Sequence, residues 1–124
     1  MVRTLTPASK FVDYAAILSY ADLTDDYNPI HVDREFAEKT EMKGLIAHGT
    51  MSLNLIWQAL RKTLDSDAMA HVTLEIRFVR PVRENDTVTG GGEERADEPG
   101  VFDVWVRNRG GAAVITGTAR VGGK

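Results

Sequence analysis

Apolar and polar positions follow a helical spacing in the first half of the chain and a two-residue period in the second half. Residues 13–23 carry Ala, Ile, Leu and Tyr at helical spacing and predict a first helix. A second, short helix is predicted over 33–40, because Asp33 can cap it. Residues 51–60 are apolar on most sides. Because a helix without a clean polar face is usually buried, we expect this segment to be a central helix.

Alternating apolar and polar side chains predict strands over residues 72–79, 87–94, 102–107 and 113–121. A short first strand is expected over 2–5, before Pro7. We interpret the glycine run 90–92 as a bulge or bend, because no helix follows it as one would in a phosphate loop. Because the predicted helices come first along the chain and consecutive antiparallel strands follow, the sequence predicts a single α+β domain over residues 1–124.

Composition argues against several classes of function. The net charge of −3 and the pI near 5.6 do not suit a nucleic-acid-binding surface. No apolar run approaches the roughly 18 residues that span a membrane, and the N-terminus lacks the apolar segment of a signal peptide. A cytoplasmic location without membrane contact is therefore expected. Cysteine is absent and the three histidines lack the spacing of metal ligands, so neither a disulfide nor a metal site is predicted.

The stretch Asp26-Tyr27-Asn28-Pro29-Ile30-His31 places a carboxylate and an imidazole at its two ends. Pro29 disfavours helical geometry at Asn28, so we expect a rigid loop that aims Asp26 and His31 into one cavity. These two side chains would form a complete acid–base set. On the spacing alone, a solvated turn between helices is the more common interpretation.

Three blocks of the sequence resemble the MaoC-like family, which contains (R)-specific enoyl-CoA hydratases and related hydroxyacyl-thioester dehydratases. Residues 20–31 are similar to the hydratase-2 signature, residues 44–51 to the Ala-His-Gly segment, and residues 76–86 to a strand and turn of the family. The blocks occur in the family order. The resemblance implies a hotdog fold, in which an antiparallel sheet wraps around a central helix, and a homodimer or a higher oligomer.

The resemblance also implies a hydro-lyase. Its substrate would be an acyl-CoA or acyl-carrier-protein thioester, and water would be added across the α,β double bond or eliminated to form it. Asp26 and His31 would hold and activate the water, and Gly49 at the start of the central helix would donate to the thioester oxygen. Thr50 is a weaker candidate for that donor, and Asn28 would shape the loop. No cofactor is implied, because CoA or phosphopantetheine enters with the substrate.

Five further positions are interpreted together with the resemblance. Trp57 stands where some family hydratases carry a small hydroxyl residue, so we expect it to shorten or reshape the acyl pocket. His48 is expected to be a buried hydrogen-bonding residue rather than a catalytic one. Three arginines are candidates for phosphate contact, although arginines on a strand more often form its solvated face: Arg77, Arg80 and Arg83.

Two alternatives to a hydratase remain open at the level of sequence. A hotdog thioesterase would attack the carbonyl of the same substrates and release a free thiol. A non-catalytic subunit would bind acyl-CoA or support a catalytic partner. Such subunits normally lose the Asp or the His, whereas Asp26 and His31 are both present here.

Overall fold

One antiparallel sheet and one long helix account for most of the fold. The computed structural model describes residues 2–122. Its elements are, in chain order, β1 Ala8–Val12, α1 Tyr14–Thr24, α2 Pro29–Val32, α3 Arg34–Glu38, α4 Gly49–Thr63, α5 Ser66–Met69, β2 Val72–Phe78, β3 Asp86–Glu94, β4 Val101–Arg107 and β5 Ala113–Val121. In the described part of the chain, no helix is long and apolar enough to cross a membrane.

The sheet has the strand order β1-β3-β4-β5-β2, and neighbouring strands run antiparallel. Strands β4 and β5 are consecutive in the chain and form a hairpin. Strand β2 pairs with the other side of β5, where Val72 lies opposite Val121. This order leaves β1 and β2 as the two edges. The α+β class predicted from the sequence is confirmed.

Helix α4 packs across the inner face of the sheet, mainly against β3 and also against β1 and β4. Ile56, Ala59 and Leu60 of the helix are fully buried with side chains of the strands such as Phe102 and Ile115. The central helix expected from the sequence is therefore present. This arrangement is the hotdog fold that the resemblance implied.

The expectation that this helix lacks a polar face is wrong. Asn54, Gln58 and Arg61 are exposed on α4, opposite the side chains that meet the sheet. A helix that covers one face of one sheet leaves its outer side to solvent, and its sequence then needs polar residues there. The apolar residues on both sides of Asn54 had concealed that period in the sequence.

The glycine run of β3 is not a bulge or bend. Gly90, Gly91 and Gly92 keep a regular pairing with β4, and the register shift lies at Val106 and Arg107 instead. A Cβ on Gly90 would lie 2.8 Å from the backbone of Leu55. The glycine thus allows α4 to approach the strand closely, which is a packing reason rather than a conformational one.

The strand predicted over 2–5 is also wrong. Only Thr4 forms an isolated bridge, to Glu93, and the first strand instead follows Pro7. Within β1 only Ala8 and Val12 are buried, while the three residues between them are exposed. A two-residue period is therefore not visible in this strand.

Candidate active site

The segment that leads to Asp26 is set by the end of α1. Asp25 adopts a left-handed conformation with a φ of 54°, and its N–H donates to the carbonyl of Ala21. The N–H of Asp26 donates to the same carbonyl, at 3.1 Å. These bonds stop the helix and place Asp26 directly after its last turn, where its side chain is exposed.

His31 lies in the short helix α2, not in the rigid loop expected from the sequence. Asn28 is the N-cap, and its Oδ1 accepts from the N–H of Ile30 at 3.2 Å. Pro29 occupies the first helical position, where its missing N–H costs nothing and its fixed φ suits the helix. The proline therefore starts a helical turn rather than excluding one. Asn28 caps this segment, and its role in the site stays a prediction.

The hydrogen bond of His31 defines its tautomer. Its Nδ1 lies 2.8 Å from the carbonyl oxygen of Ile46. Because a carbonyl oxygen only accepts, Nδ1 carries a proton and donates it. In the neutral imidazole the other nitrogen, Nε2, is then a free acceptor. A neutral His31 can therefore accept a proton at Nε2.

His48 supports this arrangement from within the protein. It is 3% exposed, and its Nε2 lies 2.9 Å from the backbone carbonyl oxygen of Asp26, to which it must donate. Its ring is stacked on that of His31 with centroids 3.9 Å apart, and the ring of Tyr20 meets it edge-on at 5.1 Å. His48 is therefore a buried hydrogen-bonding residue, as the sequence suggested.

Asp26, His31 and His48 form one polar cluster. A carboxylate oxygen and one nitrogen from each ring all lie within 4.8 Å of one another. The Nδ1 of His31 and the Nε2 of His48 already donate to backbone carbonyls, so each ring has one nitrogen left for a further partner. One water molecule can hydrogen-bond two groups that are up to about 5 Å apart. The cluster is therefore suited to holding water.

A cavity of about 380 Å³ adjoins this cluster. Its lining is mainly apolar and includes His31 and the first turn of α4 at Gly49 and Ser52; the other lining residues are Ile46, Ala47, Phe78, Val79, Arg80, Pro81, Val82 and Val114. Gly49 is the first residue of α4, so its N–H has no acceptor within the helix. A Cβ at this position would lie 2.9 Å from Cε1 of Phe78, so any side chain there would require this half-exposed ring to shift.

Two other residues nominated from the sequence, Thr50 and Trp57, do not line this cavity. Thr50 is exposed on α4, and its Oγ1 accepts from the hydroxyl of Tyr20 at 2.7 Å. Trp57 is partly buried against the core, and its effect on the acyl pocket stays a prediction. Among the arginines, Arg80 lines the cavity, whereas Arg83 donates to the carbonyl of Met42.

Tyr27 stiffens the segment between Asp26 and His31. Its hydroxyl donates to Oδ1 of Asp22 on α1. This hydrogen bond is the main reason that the pKa of Tyr27 is raised above its ordinary value, and the negative charge of Asp22 adds to the effect. The phenol therefore stays neutral and links α1 to the segment that contains Asp26 and His31.

Sequence reasoning missed Phe78 and Ser52 as residues of the cavity. Phe78 comes from the end of β2, and Ser52 from the first turn of α4. Ser52 had a signal in the sequence, because it follows Gly49 by three residues and so lies on the same face of the helix. Phe78 had none, because its contact with Gly49 joins segments far apart in the chain.

Together, the sheet wrapped on α4 and the Asp–His pair beside the helix N-terminus define a hotdog protein with an acid–base site. Residues 3–104 match the MaoC-like domain family. The chain belongs to this family.

Individual relatives agree with this assignment. Over 117 residues the chain is 31% identical to an (R)-specific enoyl-CoA hydratase of Aeromonas caviae, a match that covers 91% of the chain and 87% of that protein. It is 36% identical over 81 residues to an (R)-specific enoyl-CoA hydratase of Rhodospirillum rubrum; this covers 65% of the chain but only 56% of that relative. The structure is similar to the unliganded R-hydratase PhaJ1 of Pseudomonas aeruginosa, with a TM-score of 0.81, 26% identity and coverage of 96% and 78% of the two chains.

Proposed function

We propose that the protein is an (R)-specific enoyl-thioester hydratase, which also catalyses the reverse dehydration of a 3-hydroxyacyl thioester. The observation that carries the proposal is the approach of a carboxylate oxygen of Asp26 to a ring nitrogen of His31, within 4.8 Å, beside the cavity that His31 lines. The names of the relatives support the same reaction class.

The water molecule would lie between the two side chains. The carboxylate of Asp26 and Nε2 of His31 are both acceptors, so one water can donate a proton to each of them. Transfer of one proton to this pair leaves the water oxygen to bond C3 of the substrate. The electrons of the double bond move to C2 and the thioester oxygen, and the pair returns the proton to C2. General acid–base groups contribute about 10²–10⁴-fold to such steps.

The negative charge that develops on the thioester oxygen needs a donor. The N–H of Gly49 has no acceptor within α4, and the positive end of the helix dipole lies at the same place. Hydrogen-bond donors that the fold already holds in place stabilise this charge more than water does, because they need not reorient during the reaction. Gly49 is therefore the main donor in the proposal, and no cofactor takes part.

CoA or the phosphopantetheine of a carrier protein would bring in the acyl group. The apolar walls of the cavity suit the acyl chain, and Arg80 at the cavity is the cation best placed for the polar part of the carrier. A cytoplasmic location belongs to the same proposal, because acyl thioesters of CoA are intracellular metabolites.

The proposal includes a homodimer. Strand β2 is an edge of the sheet, and three of its inward side chains are only partly buried: Val72, Leu74 and Ile76. At its end Phe78 is 52% exposed and Val79 is 45% exposed. Pairing of this edge with that of a second copy would satisfy its backbone groups and cover these apolar side chains.

The proposed reaction is tested with crotonyl-CoA. Hydration removes the absorbance of the enoyl thioester without releasing thiol, and chiral analysis of the product should give the (R)-3-hydroxyacyl thioester. Release of free CoA at a matching rate would instead identify a thioesterase. A protein that binds the substrate without changing either signal would contradict catalysis altogether.

A further inference from the structure

Ser52 carries a buried hydroxyl that the fold itself does not use. The residue is 1% exposed, and its Oγ has no hydrogen-bond partner among residues 2–122. It does not bond to the carbonyl one turn earlier in α4, which is the usual partner of a helical serine. An unpaired buried hydroxyl lowers stability, so its presence needs an explanation outside helix packing.

The position of Ser52 relates it to Gly49. The two residues are three positions apart in α4, and both line the cavity that also contains His31. Side chains on a helix lean toward its N-terminus, which directs the hydroxyl of Ser52 toward the turn that Gly49 begins. Because Gly49 has no side chain, nothing of this residue lies between the hydroxyl of Ser52 and the backbone N–H of Gly49. Two donors thus belong to the same end of the cavity.

Few other groups in the cavity compete for a polar ligand atom. Six of the lining side chains are aliphatic: Ile46, Ala47, Val79, Pro81, Val82 and Val114. The guanidinium of Arg80 donates through Nη1 to the carbonyl of Ala113, at 2.6 Å. The Nδ1 of His31 is used by Ile46. A ligand with one polar atom in an apolar body would therefore place that atom at Gly49 and Ser52.

We propose that the hydroxyl of Ser52 is a second hydrogen-bond donor to the thioester carbonyl oxygen, beside the N–H of Gly49. This inference rests on the proposed function, since the substrate is an acyl thioester whose reacting part has one acceptor oxygen. The hydroxyl keeps its proton throughout and stabilises the charge that moves onto that oxygen as water adds to C3. Substrate binding supplies the partner that Ser52 lacks in the free protein.

The first test replaces the hydroxyl and measures hydration of crotonyl-CoA. Ser52→Ala should lower kcat/KM about 100-fold, the effect typical of removing one such donor. Ser52→Cys keeps a side chain of similar size with a weak donor, and it should remain nearly as impaired. Ser19→Ala, the same change at an exposed position of α1, should leave kcat/KM unchanged. A loss below about tenfold in Ser52→Ala would overturn the proposal.

Stability separates this role from a structural one. Because the hydroxyl is unpaired in the free protein, Ser52→Ala should keep or raise the melting temperature. A fall of several degrees would mean that the hydroxyl has a partner within the protein, and this result would overturn the proposal.

The carbonyl itself provides a signal independent of turnover. A ketone analogue of butyryl-CoA, with a methylene in place of sulfur and ¹³C at the carbonyl, resists both hydration and hydrolysis. On binding to the wild type, its isotope-edited infrared carbonyl stretch should move to lower wavenumber. Ser52→Ala should lose part of that shift, and Ser19→Ala none of it. An equal shift in all three proteins would overturn the role of Ser52, whereas failure of the wild type to hydrate crotonyl-CoA would count against the proposed function only.

Discussion

The Nε2 of His48 lies 2.9 Å from the backbone carbonyl oxygen of Asp26. This contact joins the residue that precedes α4 to the segment that follows α1. The side chain of Asp26 is exposed and gains little from packing, so its place depends on how its backbone is held. Stacking of the same imidazole on His31 lets one buried residue position both members of the acid–base pair.

His48→Ala should therefore impair catalysis and stability together. Loss of the donor leaves the carbonyl of Asp26 unsupported, and loss of the ring removes the surface on which His31 stacks. We expect kcat to fall at least tenfold and the free energy of unfolding to fall by about 1–3 kcal/mol. Crotonyl-CoA hydration and urea unfolding measure the two effects. The matched control is His71→Ala at an exposed position, which should change neither; full activity in His48→Ala would contradict the positioning role.

Gly90→Ala should destabilise the protein through the contact between α4 and β3. The added methyl would meet the backbone of Leu55 at 2.8 Å, and backbone cannot move aside as the end of a side chain can. Overpacking of this kind costs about 1–3 kcal/mol. Gly91→Ala is the matched control, since its nearest neighbour is the ring of Trp105 at 3.3 Å. Equal midpoints of urea unfolding for the two variants would be incompatible with close packing of α4 at Gly90.

Much of the fold could be predicted because burial on one face gives strands such as β4 a clear period, and because α4 carries a long segment that is mainly apolar. The edge strand β1 could not, since only Ala8 and Val12 of it are buried. Helix α2 was missed because Pro29 breaks a helix in its interior but favours one at the first position.

The candidate site was predictable only in part. Asp26 and His31 are close in the chain, so their proximity follows from local geometry. The contacts of Phe78 with Gly49 and of His48 with Asp26 join residues on separate elements. No periodicity of the sequence carries information on such contacts, because packing of the whole domain decides them.

Trp57→Ala tests the prediction that this side chain limits the acyl chain. The indole is partly buried on α4, one helical turn after Leu53. Removal of this volume should raise kcat/KM for longer enoyl-CoA substrates relative to crotonyl-CoA, at a stability cost below the about 3–5 kcal/mol of a fully buried aromatic residue. A series of straight-chain substrates measures the ratio. Equal loss for every chain length, together with a large drop in melting temperature, would assign Trp57 to the core alone.

The proposed homodimer predicts a particle of twice the 13.7 kDa chain mass. The expected pairing of β2 edges would bury Phe78 and Val79, whose exposure is unfavourable in a monomer. Sedimentation equilibrium at micromolar concentration measures the mass directly. A monomer mass with full hydratase activity would contradict this part of the proposal.

The central claim is that Asp26 and His31 act together on one water molecule. The most direct test compares the variants Asp26→Asn and His31→Ala with the wild type in single-turnover and steady-state hydration of crotonyl-CoA. Each variant should lose about 10²–10⁴-fold in kcat. Asp26→Asn should keep the wild-type melting temperature because its side chain is exposed, whereas His31→Ala also loses the hydrogen bond to Ile46 and should cost about 1 kcal/mol of stability. Asp25→Asn is the neighbouring control and should lose far less, since Asn also tolerates the left-handed conformation at that position. Near wild-type kcat in either Asp26→Asn or His31→Ala would show that the mechanism is wrong.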